Sequence, residues 1–421
     1  MLAALQGPAS AAAANGEPFA ASQWALQQVG AEDAWAVTRG GGARVGIIDT
    51  GVDLAHAELA GKVAGSIRCI GTGGLAARCA GTAQDDSGHG THVAGIVGAP
   101  LDGVGVAGVA PEASLLVVKA LKADGSGEAP DVVAGIDWLL SQGVNVINLS
   151  LAETLAARRV LGSAIEAAIR RAAAAGVVVV LAAGNHGDTP SGASFDLPAI
   201  VVGATDRNGR LTSYSPPLDR GVRWGMVAPG GDGAAGPEDE VVSTYWVPGR
   251  RSSYAWSDGT SVAAPHVAGA AALLAAQGLR GRAAVDRLLG SAKPAACPSC
   301  RGLLDVRAAG AARAGPAAAS TPARATPASP PAGPPPAAAA EPPPATAAVP
   351  FTPPAQASPP VPAFPPLAAP VERVVRVEVP PTRESRDRAA LAAVLASVAL
   401  VAVGAATATL SWRRLRADAG R

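Results

Sequence analysis

Aromatic side chains make up only 3% of this 421-residue chain. Platforms that stack nucleic-acid bases are built from such rings, so that kind of surface is disfavoured. Excess charge is also missing. Lys and Arg number 34 against 33 Asp and Glu, a formal net charge of +1. A nucleic-acid binder carries a clear basic excess, and none is expected as a partner here. The N-terminus lacks the basic region of an export signal, although Met1 to Ala14 is apolar, Ala-rich and carries Ala-x-Ala patterns. Residues 1–22 therefore read as an N-terminal segment compatible with a truncated signal peptide. No internal repeat is visible. Apolar content is not lacking: at 49% it excludes a wholly disordered chain.

Proline is unevenly spread. Of 37 prolines, 22 fall between Pro316 and Pro381, in a stretch otherwise mostly alanine. That composition packs no core and favours an extended, polyproline-II-like linker, placed at 311–388. The foldable part is 23–310, long enough for one large core. Ala389 to Leu410 runs 22 residues without a charge, enough to span about 30 Å of hydrocarbon. A transmembrane helix is expected over 389–411, followed by an Arg-rich tail at 412–421. Trp412 sits where an interfacial aromatic would, and Arg413, Arg414 and Arg416 mark the cytoplasmic side.

Four cysteines form two pairs close in sequence, Cys69 with Cys79 and Cys297 with Cys300. That pattern suits two short-loop disulfides in an oxidising compartment. Four reduced thiols, or a zinc site using the Cys297-Pro-Ser-Cys300 spacing, remain as alternatives.

Between residues 23 and 310, β-branched runs alternate with Ala-rich helical segments. Strands are expected at Arg44–Ile48, Leu115–Val118, Val144–Leu149, Val177–Ala182 and Ile200–Val202. Helices are expected at His89–Val97, Pro130–Gln142, Ser163–Ala175 and Ser261–Ala276. The strands are continuous apolar runs rather than alternations, as in strands buried on both faces. The fold class is α/β, a mostly parallel sheet with helices on both faces. Sites in such sheets lie beyond the carboxyl ends of the strands. Polar residues stand there: Asp49-Thr50-Gly51, Ser150, and Gly184-Asn185.

Three motifs carry chemistry: Asp49-Thr50-Gly51-Val52-Asp53, Gly88-His89-Gly90-Thr91-His92-Val93-Ala94-Gly95, and Gly259-Thr260-Ser261-Val262-Ala263-Ala264-Pro265-His266. In the order Asp, His, Ser, with Ala182-Ala183-Gly184-Asn185 between the last two, the chain resembles the subtilisin-like serine proteases, or subtilases. The resemblance runs from about Trp24 to Leu304 and implies a subtilisin-like fold. It also implies an endopeptidase that acts on polypeptides through an acyl-enzyme. A serine hydroxyl needs a base to take its proton as it attacks, which gives Ser261 and His89 their roles. Asp49 would fix the imidazole tautomer and stabilise the imidazolium. The Asn185 amide and the Ser261 backbone N–H would serve the oxyanion. Ser150, Leu151, Ala152 and Gly184 match the substrate-binding cleft edges.

The resemblance gives His92 a structural place rather than a metal-binding one, and local contacts to His56 and His266. Asp53 would support the loop after Asp49. Catalysis needs no cofactor. Structural calcium is a frequent companion of the family, with Asp85, Asp86, Asp102 and Asp124 as candidate oxygens that form no specific ligand pattern. Val262 stands where Met often follows the nucleophile, and Ala152 where Gly often lines the cleft. The order of parts, with protease, Pro-rich linker, membrane helix and Arg tail, is similar to that of mycosins, membrane-anchored subtilases associated with type VII secretion. It implies a single-pass cell-membrane protein, its catalytic domain extracytoplasmic, with secretion machinery as a partner. Two rivals are an inactive subtilase-fold binding protein, which should lack a triad residue, and a surface-display protein, which leaves the triad unexplained. A lipase would want Gly-x-Ser-x-Gly around its nucleophile.

Overall fold

The computed structural model describes residues 16–151, 158–185, 187, 197–218, 222–234, 236–295, 297 and 300–311. Seven parallel strands form the central sheet: β1 Arg44–Asp49, β2 Val63–Arg68, β3 Ser114–Lys119, β4 Val146–Leu149, β5 Val178–Ala182, β6 Ile200–Thr205 and β7 Gly225–Pro229. Their order is β2-β3-β1-β4-β5-β6-β7. The chain turns from one side of β1 to the other at the β1/β4 neighbours, where Ile48 pairs Leu149. Ligands of open parallel sheets bind outside the carboxyl ends of the strands at such a reversal. A two-stranded antiparallel hairpin, β8 Val241–Val247 and β9 Arg250–Ser257, stands apart from the sheet.

Eight described helices accompany the strands: α1 Trp24–Val29, α2 Ala31–Ala34, α3 His89–Gly98, α4 Ala129–Ser141, α5 Arg158–Ala174, α6 Thr260–Ala276, α7 Gly281–Ser291 and α8 Val306–Ala311. Successive strand residues point to opposite faces, and the apolar clusters divide accordingly. Val45, Ile47, Leu115 and Val117 pack with Val93 and Val97 of α3 and Ala264 and Val267 of α6. Ile48, Leu116, Val118 and Ile147 pack with Ile136 and Leu139 of α4 and Ile165 and Ile169 of α5. Both faces are therefore covered, which explains why the strands carry no polar alternation.

The five expected strands and four expected helices all form, with ends shifted by a few residues. Strands β2, β7, β8 and β9 were not among those expected; β2 is a partly exposed edge strand, Val-Ala-Gly-Ser-Ile-Arg, without an apolar run. Residues 17–22, set apart from the domain in sequence, pack onto it here. Phe19 is buried, its N–H bonds Gly105 O at 2.9 Å, and its ring meets Tyr254. Among the described residues no helix is long and apolar enough to cross a membrane. The linker beyond residue 311, the expected transmembrane helix at 389–411 and the tail at 412–421 lie outside the described residues.

The cysteine expectation is half met. Cys69 and Cys79 form a disulfide. Cys297 and Cys300 do not. Instead the Cys300 N–H and Sγ donate to Cys297 O, at 3.3 and 3.4 Å. A disulfide demands a particular Cβ separation and dihedral, which two residues closing so short a loop meet only with strain. The hydrogen bond to Cys297, and then burial, push the Cys300 thiol well above its ordinary pKa. Mass mapping without reduction should find Cys69 linked to Cys79, and both Cys297 and Cys300 alkylated once the chain is unfolded. A Cys297–Cys300 crosslink in that map would contradict the thiol pair.

Candidate active site

Asp49 ends β1, and one residue beyond the Ile48–Leu149 pair Ser150 follows β4. Each of these neighbours holds one half of the site. Asp49, fully buried, accepts a 2.7 Å bond on Oδ1 from Nδ1 of His89, whose side chain is 15% exposed. The Thr50 N–H donates to the same oxygen at 2.7 Å. With Nδ1–H committed to Asp49, the His89 ring is set to use Nε2 as the basic nitrogen.

Ser150 reaches the other half. Its Oγ donates to the Ser261 carbonyl at 2.8 Å and accepts from Asn148 Nδ2 at 2.9 Å. That carbonyl is open because of Pro265. In a regular helix Ser261 O would accept the N–H four residues on, and proline has none. Pro265 thus lies inside α6, and the acceptor it strands is taken by Ser150. A buried polar group left without a partner costs about 1–3 kcal/mol, so the Ser150 hydroxyl fixes the backbone of Ser261. Ser261 itself lies in the first turn of α6 and is 8% exposed. First-turn N–H groups have no acceptor within their helix, and the helix dipole favours negative charge there.

Asn185 follows β5. Its Oδ1 accepts the Thr260 N–H at 2.9 Å and lies 2.9 Å from Thr260 Oγ1. The same hydroxyl accepts the Gly184 N–H at 3.0 Å. With Oδ1 held this way, Nδ2 faces the space over Gly259. A Cβ placed on Gly259 would stand 3.1 Å from Ser261 Oγ and 3.4 Å from Asn185 Nδ2. The nucleophile and the amide donor therefore flank one volume that only a glycine leaves open. Gly259 also has φ +147°, a conformation side chains disfavour.

The expected cleft residues divide. The Ser150 side chain points inward, and Leu151 is buried in the apolar cluster behind the sheet. Gly184 is tied to Thr260, while Ala152 lies outside the described residues. Val262 packs among Trp24, Ala25, Ile96 and Val241, so its substitution for Met is met by apolar packing. His92 Nε2 donates to Val241 O and Ala255 O at 3.1 and 3.2 Å. Burial lowers its pKa to about 3, so it stays neutral. His266 donates Nδ1–H to Val262 O, and burial lowers it to about 4. Asp53 Oδ1 caps the Ala55 N–H. Sequence reasoning left out Thr260, Thr50 and Thr91, whose hydroxyls orient the site; their place inside the three motifs was the available signal.

Each candidate calcium carboxylate has a hydrogen-bond or ion-pair partner within the protein. Asp85 binds Thr50 and Thr91, Asp86 binds Lys119, Asp102 caps Val104 and Asp124 caps Ser126. Among the described residues no three His, Cys, Asp or Glu side chains gather as a cation cage. Glu17 and Glu58 do approach loop 102–106, but the loop answers with N–H groups. Gly103 and Gly105 donate to Glu17, and Val106 donates to Glu58. These amides fit carboxylates rather than a metal ion.

Burial raises the Glu58 carboxyl to about 8, against bonds from Tyr254 and Val106 that lower it; its Oε2 has no partner. An acid whose folded pKa lies above its unfolded value costs stability once the unfolded chain ionises first. The thermal midpoint should therefore fall as pH rises from 4.5 towards about 8 and level off above. Glu58→Gln keeps the acceptor and removes the charge, so it should flatten that fall. Parallel curves for the two proteins would show that Glu58 is not held neutral. Calcium raising only the wild-type midpoint would show that it meets a cation.

Comparison with known proteins agrees with this geometry. Residues 40–294 match the model of the subtilase family. Thermitase of Thermoactinomyces vulgaris is 39% identical over 266 residues, covering 63% of this chain and 86% of the relative. Subtilisin DY of Bacillus licheniformis is 39% identical over 241 residues, 56% of this chain and 77% of its own. A solved protease of Pseudoalteromonas arctica PAMC 21717 superposes with a TM-score of 0.61 at 29% identity, over 71% of this chain and 99% of that one. A parallel sheet whose strand β1 ends in an aspartate bonded to a histidine, with a serine in the first turn of a buried helix, belongs with these relatives: the chain is a member of the subtilase family and a serine endopeptidase.

Proposed function

We propose that Ser261, His89 and Asp49 are the catalytic triad of a membrane-anchored, extracytoplasmic endopeptidase. The 2.7 Å bond between Asp49 and His89 carries the assignment. Ser261 Oγ attacks the scissile carbonyl carbon while His89 Nε2 takes the hydroxyl proton. Asp49 stabilises the resulting imidazolium. The oxyanion accepts from Asn185 Nδ2 and the Ser261 N–H. Collapse expels the amine, which leaves with the proton from His89. Water then attacks the acyl-enzyme by the same route and releases the second product. Every proton is returned, so no cofactor enters.

A serine-directed phosphonate should label Ser261, and His89→Ala should nearly abolish labelling. Asn185→Ala should lower kcat about 10²–10³-fold with little change in KM, because the amide acts on transition-state charge. Labelling at another serine, or undiminished labelling without His89, would sink the triad.

Anchoring rests on sequence. Ala389–Leu410 is uncharged, and the tail beyond holds Arg413, Arg414, Arg416 and Arg421. Before it, Arg383, Arg386 and Arg388 make the tally four to three, a small bias towards a cytoplasmic tail. The Cys69–Cys79 disulfide supports an oxidising location for the catalytic domain. The Pro/Ala linker would hold that domain off the membrane by up to about 3.1 Å per residue where extended. This reach suits a polypeptide substrate in the cell envelope or leaving nearby secretion machinery, the setting that the mycosin-like order of parts suggests. Protease shaving of spheroplasts should release the catalytic domain and spare a C-terminal tag. Digestion of the tag with survival of the domain would reverse the topology.

A further inference from the structure

The catalytic pair stands at the end of β1 and the start of α3, and the residues beside each are joined by a buried carboxylate that no step of the reaction uses. Asp85 is 1% exposed. Its Oδ1 accepts from Thr50 Oγ1 at 2.9 Å and from the Ser87 N–H at 3.1 Å. Its Oδ2 accepts the Thr91 N–H at 3.0 Å and the Thr91 hydroxyl at 2.5 Å. The two hydroxyls pass the connection on. Thr50 Oγ1 accepts the Gly90 N–H at 2.9 Å, and Thr91 Oγ1 accepts the Asp53 N–H at 2.9 Å. One carboxylate thus joins the residues after Asp49 to residues on both sides of His89. The backbone bonds between these loops, Val52 to Ala83 and Asp85 to Val52, lie upstream of His89. Lys119 Nζ reinforces the junction by binding Thr50 O and Asp86 Oδ1, each at 2.6 Å.

We propose that Asp85 is a positioning residue for catalysis, setting the Asp49–His89 geometry through Thr50 and Thr91. This rests on the triad reading above. The chemistry requires a carboxylate. Four donors converge on two oxygens, and an asparagine would offer one oxygen and turn an NH2 group towards the remaining donors. Fixing the residues beside Asp49 and His89 on one buried anion holds the 2.7 Å bond in place. Displacing a reacting group by about 1 Å costs up to about 10²-fold in rate.

The test uses the full chain, with active sites counted by phosphonate titration so that misfolded protein does not enter the rate. Asp85→Asn and Thr50→Val should each lower kcat per titrated site about 10- to 100-fold. KM should stay within about twofold, because substrate contacts are untouched. Thr50→Ser, which keeps the hydroxyl, should restore the rate. If Asp85→Asn does not fold, the contrast between Thr50→Val and Thr50→Ser decides. Unchanged kcat per titrated site, or a loss confined to KM, overturns the proposal whatever happens to stability. Failure of the titrant to label Ser261 in the unaltered protein would appear before any variant is made, and would sink the triad reading with it.

Discussion

Helix α6 has no polar side to turn to water, and this constrains where the nucleophile can stand. From Thr260 to Ala275 every residue is buried. The helix packs against β1, β4, β5, β6, β7 and α3 together. A helix apolar all round belongs in a core, and here small residues let it lie close to the sheet. At Gly269 an added Cβ would press into Val109, and overpacking of this kind costs about 1–3 kcal/mol. Neither rotation nor sliding of α6 is free, so its first turn is fixed beyond the strand ends. Pro265 then opens a carbonyl at the residue that carries the nucleophile, and Ser150 closes it. The packing locates Ser261 and the proline–serine exchange sets its backbone.

Around this helix, buried acids join segments distant in sequence, and N–H and O–H groups neutralise them. Asp49 links β1 to α3. Asp85 links the loops on either side of that bond. Asp131 of α4 receives the Gly71 and Thr72 amides and the Thr72 hydroxyl, holding the loop beside the Cys69–Cys79 disulfide. Hydrogen bonds to ionised acceptors are roughly twice as strong as neutral ones, and more so away from water. Glu58 shows what burial costs a carboxyl. One of its oxygens has no partner, and burial raises its pKa to about 8.

The sheet was legible because its central strands are buried on both faces. Val178–Ala182 and Ile200–Thr205 could hardly be anything else. Edge strand β2 was not, since half-exposed strands lose the apolar run, and neither was the buried edge strand β7, a short Gly-Met-Val-Ala-Pro segment. Asp49, His89, Ser261 and Asn185 were legible because chemistry fixes their residue types and the motifs fix their surroundings. The inward turn of Ser150 was hidden: it follows from a hydrogen bond that a proline makes available 115 residues later. The role of Asp85 was hidden for a like reason. An acidic pair before a histidine reads as solvated or metal-binding until its four donors are seen. The Cys297–Cys300 pair misled because spacing shows proximity, whereas a disulfide also needs geometry.

Precision at the site also comes from atoms that are missing. A Cβ on Gly90 would run into the Gly51 carbonyl and crowd Asp49, and one on Gly88 would enter the Tyr245 ring. The start of α3 is therefore pressed against the end of β1 from one side and against β8 from the other. Ser243 and Thr244 of β8 donate to the carbonyls of His92 and Thr91, at 2.8 and 2.7 Å, and keep that contact closed. His89 lies between, unable to retreat from Asp49 without parting hydrogen-bonded backbone. Where Gly90 meets the Gly51 carbonyl the opposing atoms are main chain, so no side-chain rotation relieves that contact. The hairpin, which carries none of the reacting groups, thus completes the clamp on the base: it holds α3 from behind while Asp85 and Thr50 hold it from below.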